Sequence, residues 1–130
     1  MKKHVLSIIT VCRQAREALK TTMDQILLQS WREFEYLVID GSSSDGTQEL
    51  LTDYTGRFAD AGISCRFLSE PDHGIYDAMN KGTRLAHGTW LLFLNAGDLL
   101  SGPDILQQIF GTPLASDIQI LYGDTLCTYQ

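Results

Sequence analysis

Short apolar runs alternate along this chain with segments whose apolar residues recur at helical spacing, and this alternation limits the folds available to it. Runs rich in β-branched and aromatic residues predict strands, at residues 5–11, 36–39, 65–68, 90–94, 118–122 and, as a beginning, 125–129. Helical spacing and helix-start residues predict helices at 15–27, from 47, at 75–86 and after 103. Such alternation implies right-handed crossovers between parallel strands. The sequence therefore predicts an α/β fold with a mostly parallel sheet and helices on both faces.

The run Leu-Leu-Phe-Leu at 91–94 contains no polar residue, which predicts a central strand that is buried on both faces. The run stops at Asn95-Ala96-Gly97-Asp98, where turn-forming residues follow. Ligands of open α/β sheets bind outside the carboxyl ends of the strands. Asp98 is therefore predicted either to cap this turn or to hold a cation.

Polar residues also follow the other predicted strands and should share this edge of the sheet; they are Thr10, Asp40, Glu70 and Asp72. Carboxylates on one edge repel one another unless a positive or hydrogen-bonding group enters. A divalent cation with a diphosphate is such a group, because the metal takes oxygen ligands from carboxylate and phosphate. Asp40 could instead accept the N–H of a nucleobase. We expect binding roles for Asp40 and Asp98.

Three other residues carry local expectations. Asp45 is expected to cap the helix that begins near Thr47, with Gln48 completing a reciprocal pair. Gly88 is expected to end the helix at 75–86 in a left-handed conformation. Lys81, on that helix, could reach a phosphate, although an outward-facing lysine is usually solvated.

Length and composition narrow the class of protein. The chain has 130 residues and a net charge of −6 at pH 7, which predicts a single domain and argues against nucleic acid as the main partner. Its three cysteines are far apart and lack the spacing of a zinc or redox motif, which suits a reducing compartment. No apolar run has the length of a signal peptide or a membrane span. A soluble, cytosolic protein is therefore expected.

The familiar phosphate-binding motifs Gly-x-Gly-x-x-Gly and Gly-x-x-x-x-Gly-Lys-Ser/Thr are absent, as is the Gly-x-Ser-x-Gly motif of hydrolases. Six other stretches stand in order along the chain, at 6–11, 29–35, 38–47, 70–82, 86–88 and 94–98. Together they resemble the family-2 glycosyltransferases with a GT-A fold. The stretch at 70–82, Glu-Pro-Asp-His-Gly-Ile-Tyr-Asp-Ala-Met-Asn-Lys-Gly, most resembles the bacterial exopolysaccharide branch, including colanic-acid-type enzymes.

The resemblance implies that residues 1–130 form the nucleotide-sugar-binding part of one GT-A domain. It implies a nucleoside-diphosphate sugar as donor, with a UDP-sugar favoured, and Mn²⁺ or Mg²⁺ as cofactor. Matched positions make the implied donor-binding residues Thr10, Val11, Cys12, Asp40, Asp72, Asn80, Lys81, Asn95 and Ala96. Thr10 would lie beside the nucleoside, and Asp40 would bind the base. Asp98 matches the last carboxylate of the family's metal motif and would hold the cation against the diphosphate.

The chain departs from the family pattern at three places, one of which is Met79, where the family often has an arginine before Asn80. Asn95 and Gly97 stand where acidic residues are common in the family, which implies weaker metal binding or help from Asp72. Cys12 and Arg13 replace an aromatic residue and an asparagine, so stacking on the base would be lost and the choice of nucleotide is open.

The implied reaction is inverting transfer of a sugar to a glycan or lipid-linked glycan acceptor in cell-surface polysaccharide synthesis. It would take place in the cytoplasm at the inner face of the membrane, with a peripheral membrane contact at most. The family's general base comes from a later part of the domain and is expected beyond Gln130, so the chain alone should bind donor but transfer little sugar. Apolar surface left uncovered could pair two copies into a homodimer.

Two other classes of protein stay open. A nucleotidyltransferase also uses an α/β sheet with metal-binding carboxylates, but a glycine-rich basic loop is expected after its first strand, and residues 10–15 contain no glycine. A non-catalytic nucleotide-sugar-binding or scaffold domain of the same fold would tolerate Asn95 and Gly97 in place of acidic residues.

Overall fold

The computed structural model describes residues 4–112 and 114 of the chain. Within them four strands alternate with four helices, in the order β1 (Leu6–Cys12), α1 (Arg16–Leu27), β2 (Phe34–Asp40), α2 (Thr47–Asp60), β3 (Ser64–Ser69), α3 (Ile75–Leu85), β4 (Trp90–Phe93) and α4 (Ile105–Phe110). The predicted α/β alternation is confirmed in this part of the chain. The strands predicted at 118–122 and from 125 lie outside the described residues.

The four strands form one parallel sheet in the order β3-β2-β1-β4. Ile8 of β1 pairs with Tyr36 on one side and with Leu92 on the other. Among the described residues β4 pairs with β1 alone, and its Leu91 is 40% exposed. Within the described residues β4 lies at an edge and is not fully buried, so the predicted burial on both faces is wrong there; its central place stays a prediction, because two further predicted strands lie outside the described residues. β1 and β2 hold the two inner places of the described sheet, and every residue of both is buried.

Alternate side chains of the strands fill a core on each face of the sheet, as the period of two requires. Leu6 and Ile8 belong to the larger core, together with buried side chains of α1, α2 and α4. Ile9 and Val11 point to the other face and pack with Ala78 of α3. The helices thus cover both faces, as predicted, and the strand ends stay open to loops.

A buried ionic network crosses the amino-terminal part of the sheet. Glu35 in β2 is 1% exposed, and its carboxylate accepts hydrogen bonds from Ser7 Oγ at 2.6 Å, from the His87 N–H at 2.5 Å and from Arg66 Nη2 at 3.1 Å. Burial opposes ionisation of Glu35, but the bonds from Ser7, His87 and Arg66 hold its pKa below the usual value. The network joins β1, β2 and β3 to the segment that follows α3.

Gly88 lies in that segment and packs directly on β1. Its N–H donates to Ser7 Oγ at 2.8 Å, and a Cβ at this position would lie 2.5 Å from the Ser7 backbone nitrogen. The glycine is needed for this close approach and has no left-handed φ. The predicted left-handed helix ending at Gly88 is therefore wrong, since α3 ends at Leu85 and the chain leaves through an extended Ala86.

Helix starts follow the prediction only in part. Asp45 accepts the N–H of Thr47 at 3.3 Å and the N–H of Arg16 at 3.1 Å, so one carboxylate serves the first turns of α1 and α2. The hydrogen bond from the Thr47 hydroxyl, followed by those from the backbone N–H groups of Arg16 and Thr47, lowers the pKa of Asp45. Gln48 does not complete a reciprocal pair, because its Nε2 donates instead to Ser69 Oγ at 3.0 Å. None of the helices in the described part of the chain is long and apolar enough to cross a membrane.

Candidate functional site

Gln14 ties together the loops that follow β1 and β2. The Gln14 N–H donates to Ser43 Oγ at 2.7 Å, and the Ser44 N–H donates to Gln14 Oε1 at 2.6 Å. Gln14 and Ser42 have φ values of 51° and 61°, in the left-handed region that is uncommon for residues other than glycine. These contacts hold both loops in one fixed arrangement at the carboxyl edge of the sheet.

Asp40 ends β2 and is fully buried. Its Oδ1 accepts hydrogen bonds from Ser43 Oγ at 2.5 Å and Cys12 Sγ at 3.6 Å. Its Oδ2 accepts bonds from the Ser43 N–H at 3.0 Å and Ser69 Oγ at 2.8 Å. A buried carboxylate needs such partners, and these join the ends of β1, β2 and β3. The base-binding role of Asp40 stays a prediction, and it would require a nucleobase to replace one of these donors.

The three residues at the end of β1 also lie beneath the surface. Thr10 Oγ1 donates to the Leu94 carbonyl at 2.6 Å and accepts a bond from the Tyr36 hydroxyl at 2.7 Å. Val11 belongs to the core beside α3. Burial, together with a neighbouring carboxylate, raises the pKa of the Cys12 thiol, so this cysteine stays protonated. The side chains of these three residues lie beneath the carboxyl edge of the sheet, and their direct contact with a nucleoside stays a prediction.

Asp72, in the loop after β3, reaches over the end of β2. A Cβ on Gly41 would lie 2.8 Å from Asp72 Oδ2 and 3.4 Å from Arg13 Cδ. The absence of a side chain at Gly41 therefore lets Asp72 and Arg13 approach the same point. Asp72 Oδ1 accepts the N–H of Gly74 at 3.1 Å, which fixes the loop locally.

Lys81 of α3 clamps the loop at 70–74. Its side chain is 13% exposed, and Nζ lies 3.0 Å from Glu70 Oε1. It also donates to the Pro71 carbonyl at 2.9 Å. The phosphate contact proposed for Lys81 stays a prediction, because the structure engages the ammonium with this loop. Asn80, beside it, is exposed.

The Asn-Ala-Gly-Asp turn closes on itself after β4. The Asp98 N–H donates to the Asn95 carbonyl at 2.9 Å, and the Asn95 N–H donates to Asp98 Oδ2 at 3.0 Å. Ala96 packs against the larger core. Asp98 is exposed, whereas Asn95 Oδ1 is buried without a hydrogen-bond partner among the described residues. The cap predicted for Asp98 is therefore present, and it occupies only one of the two carboxylate oxygens.

The oxygen atoms at this turn fit a hard divalent cation that also binds a phosphate. In the described part of the chain no group of three or more His, Cys, Asp or Glu side chains could hold a metal. Magnesium sites commonly use only one or two carboxylates together with substrate phosphates and water, and Asp98 can supply one. Asp72 follows β3 and Asp98 follows β4, which are the two outer strands of the described sheet. The strand order therefore does not bring the two carboxylates together as ligands of one metal ion.

Three polar residues that the sequence did not single out for the site hold the chain after β4. Thr22 and Gln25 lie on α1 beside the buried Leu19 and Ile26, and Gln29 stands two residues beyond the end of the helix. Their side chains hydrogen-bond to backbone groups of Gly97, Asp98, Leu100, Gly102 and Leu106. Polar side chains at positions where the helical spacing calls for apolar ones could have indicated buried hydrogen bonds. Their partners could not be identified, because they lie more than seventy residues away along the chain.

Residues 7–111 match the family described as glycosyl transferase family 2. A PGL/p-HBAD biosynthesis glycosyltransferase of Mycobacterium bovis is 35% identical over 129 residues, which cover 97% of this chain and 48% of that protein. The putative teichuronic acid biosynthesis glycosyltransferase TuaG of Bacillus subtilis is 32% identical over 96 residues, covering 74% of this chain and 37% of that protein. The chain therefore spans about half the length, or less, of the curated relatives it matches.

Two solved structures share the fold. The mannosyltransferase PcManGT of Pyrobaculum calidifontis, in complex with GDP-Man and Mn²⁺, superposes with a TM-score of 0.72 at 21% identity over 82% of this chain and 31% of that one. Residues 1–349 of S. aureus TarS, in complex with UDP-GlcNAc, superpose with a TM-score of 0.71 at 17% identity over 82% of this chain and 30% of that one. At these identities the likeness concerns the fold alone.

Proposed function

This chain belongs to glycosyl transferase family 2, and we propose that it is the donor-binding part of an enzyme that transfers a sugar from a nucleoside-diphosphate sugar to a glycan. The observation that carries the proposal is the position of Asp98. Its carboxylate is exposed at the carboxyl end of β4, with one oxygen left over after the turn has closed. This is the edge at which parallel α/β sheets bind their ligands.

The proposed donor is a UDP-sugar or another nucleoside-diphosphate sugar. The two structural neighbours are described in complex with UDP-GlcNAc and with GDP-Man, which supports the donor class and leaves the base open. Asp98 would hold Mn²⁺ or Mg²⁺ against the diphosphate, and the ion would neutralise the charge that builds up on the leaving group. Asp40 would keep the loop at 41–45 in place, either beside the base or bonded to it.

The finer assignments rest on the resemblance. We propose an inverting reaction whose general base lies beyond Gln130, at the inner face of the membrane, with a glycan or lipid-linked glycan as acceptor. The relatives are named for PGL/p-HBAD and teichuronic acid biosynthesis, and neither name supports the colanic-acid-type branch. Synthesis of a cell-surface glycan is the broader proposal that accommodates both names.

A non-catalytic donor-binding or scaffold domain is the second candidate. It is favoured by the single carboxylate of the 95–98 turn and by the lack of any group of three metal-binding side chains in the described residues. The two candidates differ in whether donor binding depends on a metal ion through Asp98.

Calorimetric titration of the full-length protein separates them. UDP and GDP would each be titrated with and without Mn²⁺ into the wild type, Asp98→Ala and a matched control, Asp60→Ala. Asp60 is exposed at the end of α2, away from the carboxyl edge.

We expect Mn²⁺ to strengthen UDP binding by the wild type and the Asp60 variant, and we expect the Asp98 variant to lose that gain, on the order of tenfold or more. A preference for GDP would change the donor but not the reaction class. Metal-independent binding that Asp98→Ala leaves unchanged would favour the scaffold, and a folded protein that binds neither nucleotide would contradict the proposal.

A further inference from the structure

The side-chain hydroxyl of Thr22, on α1, hydrogen-bonds to the backbone of the turn that carries the exposed Asp98 carboxylate. Thr22 Oγ1 accepts the N–H of Gly97 at 2.8 Å and donates to the carbonyl of Asp98 at 2.9 Å. Thr22 is fully buried, so water does not compete for these two bonds. The hydroxyl therefore holds the peptide that precedes Gly97 and the peptide that follows the Asp98 Cα.

The contacts inside the turn do not by themselves orient it relative to the sheet. The hydrogen bonds between Asp98 and Asn95 join two residues of the same turn, so they define its shape but not its direction. Gly97 has a φ of 96°, and a Cβ on it would lie 3.6 Å from Ala18 Cβ on α1, which is ordinary apolar contact without directional preference. Hydrogen bonds are directional, and those of Thr22 are the directional link between helix and turn.

Orientation matters more at this turn than at a site with several acidic ligands. No group of three or more metal-binding side chains is present among the described residues, so a rotated Asp98 has no such cluster to compensate for it. Metal sites tolerate only about ±0.2 Å in ligand distance, and loss of a residue that orients a ligand typically weakens metal binding by about 10- to 100-fold.

We propose that Thr22 is a positioning residue of the donor site, whose hydroxyl sets the direction in which Asp98 meets a divalent cation. The inference rests on the proposed function, because it takes Asp98 as a metal ligand. Gln25 accepts a hydrogen bond further along the chain, from the Leu100 N–H at 2.9 Å. It therefore does not set the direction of Asp98, which depends on Thr22.

The test measures Mn²⁺ affinity by electron paramagnetic resonance of free Mn²⁺ in the presence of saturating UDP, with the full-length protein. Thr22→Val removes the hydroxyl at nearly constant volume, and Thr22→Ser retains it. Thr21→Val is the matched control, because Thr21 is exposed on the same helix and bonds only to the Glu17 carbonyl. We expect Mn²⁺ binding to weaken about 10- to 100-fold in Thr22→Val and to stay near the wild type in the Ser variant and the control. UDP affinity without metal should not change.

Thermal melting accompanies each titration, and Thr22→Ala is read in the same way if the valine variant does not fold. Wild-type Mn²⁺ affinity in a folded Thr22→Val or Thr22→Ala protein would overturn the inference, as would an equal loss in Thr22→Ser. Asp98→Ala separates this failure from that of the proposed function. If it leaves Mn²⁺ binding intact, the metal role of Asp98 fails; if it abolishes binding while the hydroxyl-free variants keep it, only the positioning role of Thr22 fails.

Discussion

Gly82 of α3 allows a prediction whose sign is set by one contact. Gly82 is buried, and a Cβ at this position would lie 2.6 Å from Ile9 Cγ2 and 3.5 Å from Ile39 Cγ1. Ile9 is fully buried in β1, one of the two inner strands of the described sheet, and its β-branched side chain has little freedom about χ1. In Gly82→Ala the helix must therefore move away from the sheet.

The magnitude follows from two opposing effects. Alanine in place of glycine in a helix interior gains roughly 0.5–1 kcal/mol in the free energy of unfolding. Inserting a carbon into a filled core costs roughly 1–3 kcal/mol, so we expect Gly82→Ala to destabilise the protein by up to about 2 kcal/mol. Gly56, in α2, provides the matched control, since a Cβ there meets no atom within 4 Å. Gly56→Ala should stabilise the protein by about 0.5–1 kcal/mol.

Urea unfolding of the two variants and the wild type measures this difference directly. The helix-propensity gain is common to both substitutions, so the gap between the variants isolates the contact of α3 with β1, at about 1–3 kcal/mol. Equal stability of the two variants, or a Gly82→Ala protein more stable than the wild type, would refute the view that α3 is packed against Ile9 without spare room.

Two further predictions concern charged side chains that join separate elements. Glu35→Gln should lower the stability of the protein at pH 7 and flatten the loss of stability in acid. The lowered pKa of Glu35 contributes stability that is complete above the unfolded pKa of about 4.3 and disappears as the pH falls through the lower folded pKa. Melting temperatures from pH 3 to 7 check this, and an unchanged slope in acid would contradict it. Lys81→Met keeps the apolar stem of the side chain but loses the bonds to Pro71 and Glu70, so amide hydrogen exchange should become faster at 70–74 and not in β2. Unchanged exchange at 70–74 would show that Lys81 does not hold this loop in place.

The elements that local pattern determines could be predicted from the sequence. β2 was predicted at 36–39 and extends over Phe34–Asp40, and α3 was predicted at 75–86 and ends at Leu85. Both depend on the spacing of apolar side chains within a single segment. The α/β class then follows from their alternation, without knowledge of which strands pair.

Features that depend on distant residues could not be predicted. Gly88 has the sequence context of a helix ending, but its backbone is set by contact with Ser7 on β1. Thr22 has the spacing of a core residue, and only the structure shows that its hydroxyl meets the 95–98 turn. The sequence leaves Lys81 either near a phosphate or in solvent, and only the fold places Glu70 beside it.

The two carboxylates given binding roles by the resemblance, Asp40 and Asp98, differ in what the protein leaves free. Every oxygen of the Asp40 side chain already accepts protein donors in a fully buried setting, so a base that bonds to it must displace a donor from Cys12, Ser43 or Ser69. Asp98 keeps an oxygen beyond its single bond to Asn95 and is exposed, so a cation can bind without any such loss. An unpaired buried polar group costs about 1–3 kcal/mol, and this difference supports the proposal that a donor would gain its affinity through Asp98, while Asp40 keeps the loops in place.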